Sequence, residues 1–408
     1  MWRGLSIRNL SFTGALFGSL GVAIVAIVVA GIVISPVGRT RAAAENRLGN
    51  PKGAVDRLDF FDTAGAWARG QVEHAVFVET PVPSVTLRDA RDVFPRSGCW
   101  TSPEVATPFA FTELLPSWNV SAPPDTGLRL EVRVRRAGGG WSPWLYLGSW
   151  GRTIAGERTT SCRHGFVNID YLKLHRPADA YQVRVHLDSF SLDPAASPTV
   201  RRVAVCYSGV VKDESRRREV TEPVVMDGEW GRDLGVPFFT QKDAPKPLSG
   251  EICSPTSVSM VLAHWGVKKP VVENAMAIYD GEYDLFGNWG RAVARAGDLG
   301  MDAWLTRFRN WEQVKAQIAA GQPVIASIRF ERDEFPSAVL PKTNGHLIVI
   351  RGFTPAGDVI VNDPASRDRG DGAVYKADEL ARAWFDRGGV GYVIRPPHSG
   401  QRSGVALR

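Results

Sequence analysis

The stretch Glu251–Gly266, EICSPTSVSMVLAHWG, decides the fold of the C-terminal half of the chain. Its apolar residues recur at helical spacing, Pro255 suits a first helical turn, and Gly266 is typical of the position after a helix. The pattern predicts a helix over Pro255–Trp265 with Cys253 at its N-terminus. Backbone dipoles and free N–H groups there favour the thiolate, which attacks carbonyl carbons. A buried structural cysteine is the alternative for a lone thiol.

A second segment, Gly345–Phe353, begins with His346 at the start of a strongly apolar strand. After a turn, Val359–Val361 is predicted to return as a strand that ends in Asn362-Asp363-Pro364. Because such a hairpin brings its open ends together, we expect His346 and Asp363 to lie close. Asp363 would then orient the imidazole that takes the thiol proton, whereas Asn362 would point the other way.

An amide donor precedes the cysteine in the segment Val236–Gln241. A Gln side chain and the backbone N–H of Cys253 can together stabilise the oxyanion of a tetrahedral intermediate. The sequence therefore gives four candidate catalytic residues, which are Gln241, Cys253, His346 and Asp363.

The order of these residues resembles a known family. Gln241, Cys253 at a helix start, Gly345-His346 and Asn362-Asp363-Pro364 are similar to the bacterial peptidases that cut double-glycine leaders from bacteriocins. The resemblance is closer to their secreted and membrane-attached relatives with a papain-like domain. It covers residues 233–397 and implies an α+β papain-like fold with a Cys–His–Asp triad and a Gln oxyanion donor. The family usually has Gly-Pro after the cysteine, and no transporter domain is expected here.

The N-terminal segment has no charged residue from Asn9 to Gly38, and Ala15–Ile34 is almost wholly apolar. A helix of about 20 apolar residues can cross a bilayer, so a transmembrane anchor is predicted at 13–36. It follows a basic N-terminus at 1–12 and precedes a linker at 37–56. Basic residues flank both ends, so a cytosolic body stays open beside the expected extracytoplasmic one, and cleavage of the segment also stays open.

The net charge of +6 is concentrated in residues 1–52, which hold six basic side chains and one acidic one. The remainder is nearly neutral, so no nucleic-acid partner is predicted. The sequence has no metal-ligand spacing of His and Cys and no phosphate-binding glycine loop. We therefore expect neither a cofactor nor a metal.

Residues 57–211 show short alternating segments between turn signals, for example Leu128–Val134. They predict an all-β sandwich or jelly-roll-like domain. Its tryptophans either fill the core or form a glycan-binding surface. Two of its cysteines could pair, or all could be small buried residues; they are Cys99, Cys162 and Cys206.

A charged linker at 212–232, a papain-like domain at 233–397 and a tail at 398–408 complete the organisation, with loops over the cleft expected at 279–308 and 330–343. The predicted function is a cysteine peptidase that acts on a peptide or protein through an acyl-enzyme, and a transamidase uses the same chemistry. A catalytically silent peptide-binding module and a glycan-binding or adhesion surface protein that uses the β-domain are the alternatives.

Overall fold

The computed structural model describes residues 50–88, 94–136, 138–156, 158–226 and 228–397. Seven α-helices lie in these ranges: α1 (Ala64–Ala68), α2 (Glu214–Val220), α3 (Cys253–His264), α4 (Val271–Ile278), α5 (Trp289–Asp298), α6 (Trp311–Ala319) and α7 (Ala377–Trp384). The strands of the N-terminal half are β1 (Ala54–Phe61), β2 (Gln71–Glu73), β3 (Ala75–Val78), β4 (Ser84–Leu87), β5 (Arg96–Thr101), β6 (Val105–Ser121), β7 (Thr126–Arg136), β8 (Leu145–Gly151), β9 (Ser161–Cys162), β10 (Gly165–Asn168), β11 (Tyr171–Ser189) and β12 (Thr199–Val210). Those of the C-terminal half are β13 (Asp302–Arg307), β14 (Val324–Phe330), β15 (Thr343–Phe353), β16 (Val359–Asn362), β17 (Ala373–Tyr375) and β18 (Val390–Arg395).

The twelve strands of the N-terminal half form one connected sheet, here called the N-terminal sheet. The long strands β6 and β11 connect the parts of this sheet. Strand β11 pairs with β6 near Leu172 and with both β5 and β7 near Arg184. The pairing of β7 with β11 fits the alternation of apolar and polar residues in β7, whose apolar residues Leu128, Leu130 and Val132 are fully buried. The predicted sandwich of separate sheets is therefore corrected to a single sheet that long strands hold together.

The tryptophans of this half do not form the proposed glycan surface. Trp67, Trp100, Trp118 and Trp150 lie in the hydrophobic core, at most 5% exposed. The other two are half-buried, and the guanidinium of Arg133 lies 4.8 Å from the ring centroid of each of them; they are Trp141 and Trp144. A glycan partner is thus not supported. All four cysteines of the chain are free thiols.

The C-terminal half contains a six-stranded antiparallel sheet in the order β13-β18-β14-β15-β16-β17, here called the C-terminal sheet. Helix α3 forms where the apolar spacing predicted it. Ser257 on α3 donates to the carbonyl oxygen of Leu347 across 3.0 Å and so fixes the helix against β15. The expected cleft loop at 279–308 is wrong, because α5 and β13 lie inside it.

The two sheets meet along β6 and the edge strand β13. Asn119 on β6 donates to Ala303 O across 2.7 Å and accepts from Ala303 N across 3.0 Å, and Ser117 accepts from Leu305 N across 3.0 Å. Polar side chains therefore satisfy backbone groups that an edge strand leaves unpaired. Residues of both sheets belong to one compact unit, Thr40–Arg408. The expected charged linker at 212–232 contains the short helix α2.

The predicted transmembrane anchor at 13–36 is not supported, and the fold class is corrected accordingly. No helix within the described ranges is long and apolar enough to cross a membrane. Residues 1–49, which include the predicted anchor, lie outside those ranges. A long apolar window is a requirement for a membrane helix rather than proof of one. The membrane-anchored localisation that followed from this prediction loses its basis.

Candidate active site

Cys253 is the first residue of α3, as its spacing from Pro255 predicted. The helix has twelve residues, and no side chain caps its N-terminus. Ser254 occupies the usual glycine position of the resembled family, is fully buried and lies 3.3 Å from the Tyr392 hydroxyl. The half-buried thiol of Cys253 thus sits at the positive end of a helix whose first turn is packed into the core.

His346 and Asp363 are joined by a buried hydrogen bond, although 17 positions separate them in the sequence. His346 Nε2 lies 2.8 Å from Asp363 Oδ1, and both residues are at most 3% exposed. Burial by itself lowers the pKa of His346, but Asp363 and a hydrogen bond with Cys253 outweigh it and raise the pKa to about 10. Burial raises the pKa of Asp363, and His346 and Tyr375 reverse this and lower it.

The Asp363 carboxylate has two further donors. Ala365 N donates to Oδ1 across 2.9 Å, and the hydroxyl of Tyr375 donates to Oδ2 across 2.6 Å. Sequence reasoning missed Tyr375, because β17 has only three residues and no pattern ties it to the strand before Asp363. Asn362 points away from the imidazole as expected: its Nδ2 donates to the carbonyl oxygen of Val236 across 2.9 Å.

Gln241 lies between the two halves of this cluster. Its backbone N–H donates to Pro364 O across 3.0 Å, next to Asp363. Its side-chain Nε2 donates to Ser249 O across 3.1 Å, four residues before Cys253. An amide NH₂ carries two hydrogens, and the second has no protein acceptor among the described residues. The buried Oε1 also has no partner there.

The arrangement brings a thiol, an imidazole and a carboxylate together in one row. Because Asp363 occupies Nε2 of His346, the other ring nitrogen, Nδ1, is the atom left to exchange a proton with Cys253. In this arrangement the imidazole can take the proton of the thiol to form a thiolate and later give a proton to a leaving group. Among the described residues, no group of three His, Cys, Asp or Glu side chains is arranged to hold a metal ion.

Two family models match separate parts of the chain. Residues 233–392 match the Peptidase_C39 like family, and residues 57–208 match the Peptidase C39 N-terminal domain. No curated protein matches the chain. The chain therefore carries a cysteine peptidase domain preceded by the N-terminal domain found with such peptidases. The resemblance to the double-glycine-leader peptidases is confirmed for residues 233–392, which match the C39-like peptidase family.

Solved structures similar to the chain include other peptidases of this type. A double glycine motif protease from an AMS/PCAT transporter, in complex with the leader peptide, is 22% identical with a TM-score of 0.30, over 42% of this chain and 97% of that one. A putative C39-like peptidase from Bacillus anthracis is 18% identical with a TM-score of 0.33, over 42% of this chain and 99% of that one. Because these TM-scores are low, the assignment depends on the family matches alone.

Proposed function

We propose that this C39-like peptidase cleaves peptide bonds through a catalytic triad of Cys253, His346 and Asp363. The observation that carries the proposal is the buried 2.8 Å contact between His346 Nε2 and Asp363 Oδ1. It is supported by the Cys253 side chain, which acts on the same ring and contributes to its raised pKa. A raised pKa keeps His346 protonated at neutral pH, so the resting form is an imidazolium beside the cysteine sulfur.

The reaction follows from these positions. The Cys253 thiolate attacks the substrate carbonyl carbon, and a tetrahedral intermediate with a negatively charged oxygen forms. His346 gives its proton to the departing amine as the C–N bond breaks, which leaves a thioester on Cys253. His346 then takes a proton from water, the hydroxide attacks the thioester, and the C–S bond breaks to release the acid product and restore the thiolate beside the imidazolium.

Gln241 is the proposed side-chain donor to the oxyanion, together with the backbone N–H of Cys253. Two tethers support this role, since the residue is bonded on one side to Pro364 and on the other to Ser249. A fixed amide gains more from a developing charge than a mobile one, because it needs no reorganisation during the reaction.

The proposed substrate is a peptide or protein, the class that defines a peptidase family. Transamidation differs only in the last step, in which an amine replaces water as the acceptor of the acyl group. The alternative function that the experiment below must exclude is a catalytically silent peptide-binding module.

The test is incubation of the full-length protein with a proteome-derived peptide library, followed by mass-spectrometric identification of new termini. Wild type is expected to generate new N-termini, and Cys253→Ser and His346→Ala are expected to generate none above background. Added glycine amide separates the two reactions, because transamidation would place it on the new C-termini. Equal peptide profiles for wild type and both variants would leave a binding module as the function.

A further inference from the structure

We propose that Tyr375 is a positioning residue of this site, whose hydroxyl fixes the Asp363 carboxylate toward His346 and ties it to the loop of residues 331–342. The inference rests on the proposed function, because a carboxylate that orients an imidazole matters only if the imidazole acts. No sequence pattern groups Tyr375 with Cys253, His346 and Asp363.

The hydroxyl of Tyr375 has a partner on each side. It donates to Asp363 Oδ2 across 2.6 Å, while the backbone N–H of Val339 donates to it across 3.1 Å. Tyr375 is fully buried and Asp363 is 1% exposed, so water does not compete for either bond. With Ala365 N and His346 Nε2 on Oδ1, both carboxylate oxygens are held. A carboxylate held at both oxygens cannot rotate away from the imidazole without losing hydrogen bonds.

The 331–342 loop ends four residues before His346 and is anchored to residues on either side of Tyr375 in the sequence. Ser337 Oγ donates to Glu379 Oε2 across 2.6 Å, and Lys376 N donates to Ser337 Oγ across 3.0 Å. Arg369 Nη2 donates to Val339 O across 3.0 Å. The Tyr375 hydroxyl bonds both this loop and the Asp363 carboxylate, so loop position and carboxylate orientation are coupled through it.

The Tyr375 hydrogen bond changes the pKa of Asp363 in a known direction. Burial raises the pKa of Asp363, and the Tyr375 hydrogen bond is one of the groups that lower it. The other charged groups that act on this pair are His346 on β15 and Arg369 before β17. Removal of the hydroxyl therefore lets Asp363 protonate at a higher pH, and the imidazolium loses its partner earlier on acidification.

The experiment compares wild type, Tyr375→Phe and a matched control, Tyr181→Phe, all as the full chain. Phenylalanine keeps the packing of ring 375 against Phe335, whose centroids are 4.9 Å apart, and removes only the hydroxyl. Tyr181 is equally buried and donates to Asp59 Oδ2 across 2.7 Å in the N-terminal sheet, away from the triad. The control thus loses the same kind of bond without touching Asp363.

Two readouts are taken: the rate of Cys253 alkylation by iodoacetamide from pH 4 to 9, and the ¹⁵N shifts of the His346 ring from pH 4 to 11, a range that includes its pKa of about 10. For Tyr375→Phe we expect alkylation at pH 6 to slow by about 10- to 100-fold, the range for one hydrogen bond to a charged group. The acid limb of both profiles should move to higher pH, while Tyr181→Phe follows wild type.

If Tyr375→Phe superimposes on wild type in both profiles, the positioning role is overturned. The same holds if Tyr181→Phe shifts them equally, because the effect is then general destabilisation. If wild-type Cys253 reacts as an ordinary thiol at every pH, the proposed peptidase mechanism fails. The His346 titration still decides on Tyr375 in that case, since it reports on the Asp363 contact without needing a reactive thiol.

Discussion

The backbone N–H of Gln241 donates to the carbonyl oxygen of Pro364 across 3.0 Å, which fastens the proposed oxyanion donor to the residue after Asp363. The proposed nucleophile and the proposed base come from α3 and β15, so this bond helps to align a third segment with both of them. The site is held together by contacts between segments that are far apart in the sequence.

The first prediction concerns this glutamine. Gln241→Ala should lower kcat for peptide cleavage by about 10²- to 10³-fold, the usual cost of one lost oxyanion donor. Alkylation of Cys253 by iodoacetamide forms no oxyanion, so its rate should stay within about threefold of wild type if the donor acts only on the tetrahedral intermediate. Parallel assays of cleavage and alkylation check the prediction, and an equal loss in both would mean that Gln241 only supports the fold around Cys253.

The second prediction concerns pH and stability. The pKa of His346 is raised from its usual 6.5 to about 10, so its stabilising contribution is complete below pH 6.5 and is lost as the pH rises toward 10. The pKa of Asp363 is lowered from 3.8, so its contribution is present above pH 3.8 and is lost on further acidification. Asp363→Asn should therefore be most destabilising relative to wild type between about pH 4 and 6.5.

Urea denaturation of both proteins at intervals from pH 4 to 10 measures this difference. The gap in the free energy of unfolding should narrow steadily from pH 6.5 to 10. A gap that stays constant over that range would show that His346 and Asp363 do not form a charged pair.

The third prediction concerns the junction of the two sheets. Arg307 Nη2 donates to Glu113 Oε2 across 2.6 Å, and neither side chain is more than 2% exposed. Glu113→Gln leaves a buried guanidinium without its counter-charge and should cost about 3–5 kcal/mol of unfolding free energy. The double variant Glu113→Gln/Arg307→Met should recover part of that loss. Denaturation of the single and double variants tests this, and additive losses would mean that the pair is not coupled.

Several elements of the site followed from local sequence. Cys253 begins a helix whose apolar residues recur at helical spacing, and His346 opens the apolar run of β15. Both elements are specified by neighbouring residues in the sequence, so the apolar pattern and the turn residues were sufficient to predict them. The contact between His346 and Asp363 followed because a hairpin joins them.

The missed elements depend on tertiary packing. The expected loop at 279–308 contains α5, in which Gly290 and Gly297 weaken the helical pattern. A Cβ on Gly297 would lie 2.8 Å from Asn119 Cα, so the glycine serves the close approach of this helix to β6. In the same way, Pro108 and Pro116 concealed the 17-residue strand β6, because proline usually ends a strand pattern. No local signal encodes contacts of this kind.

The measurement that tests the central claim most directly is the alkylation rate of Cys253 in the full-length protein from pH 5 to 9. Cys99 is the internal control, since burial raises its thiol pKa, and peptide mass spectrometry separates the two sites. An activated triad predicts that Cys253 reacts rapidly well below the ordinary thiol pKa of about 8.5 and that His346→Ala abolishes this reactivity. If Cys253 reacts only as the pH approaches 8.5, and His346→Ala follows the same curve, the triad is contradicted.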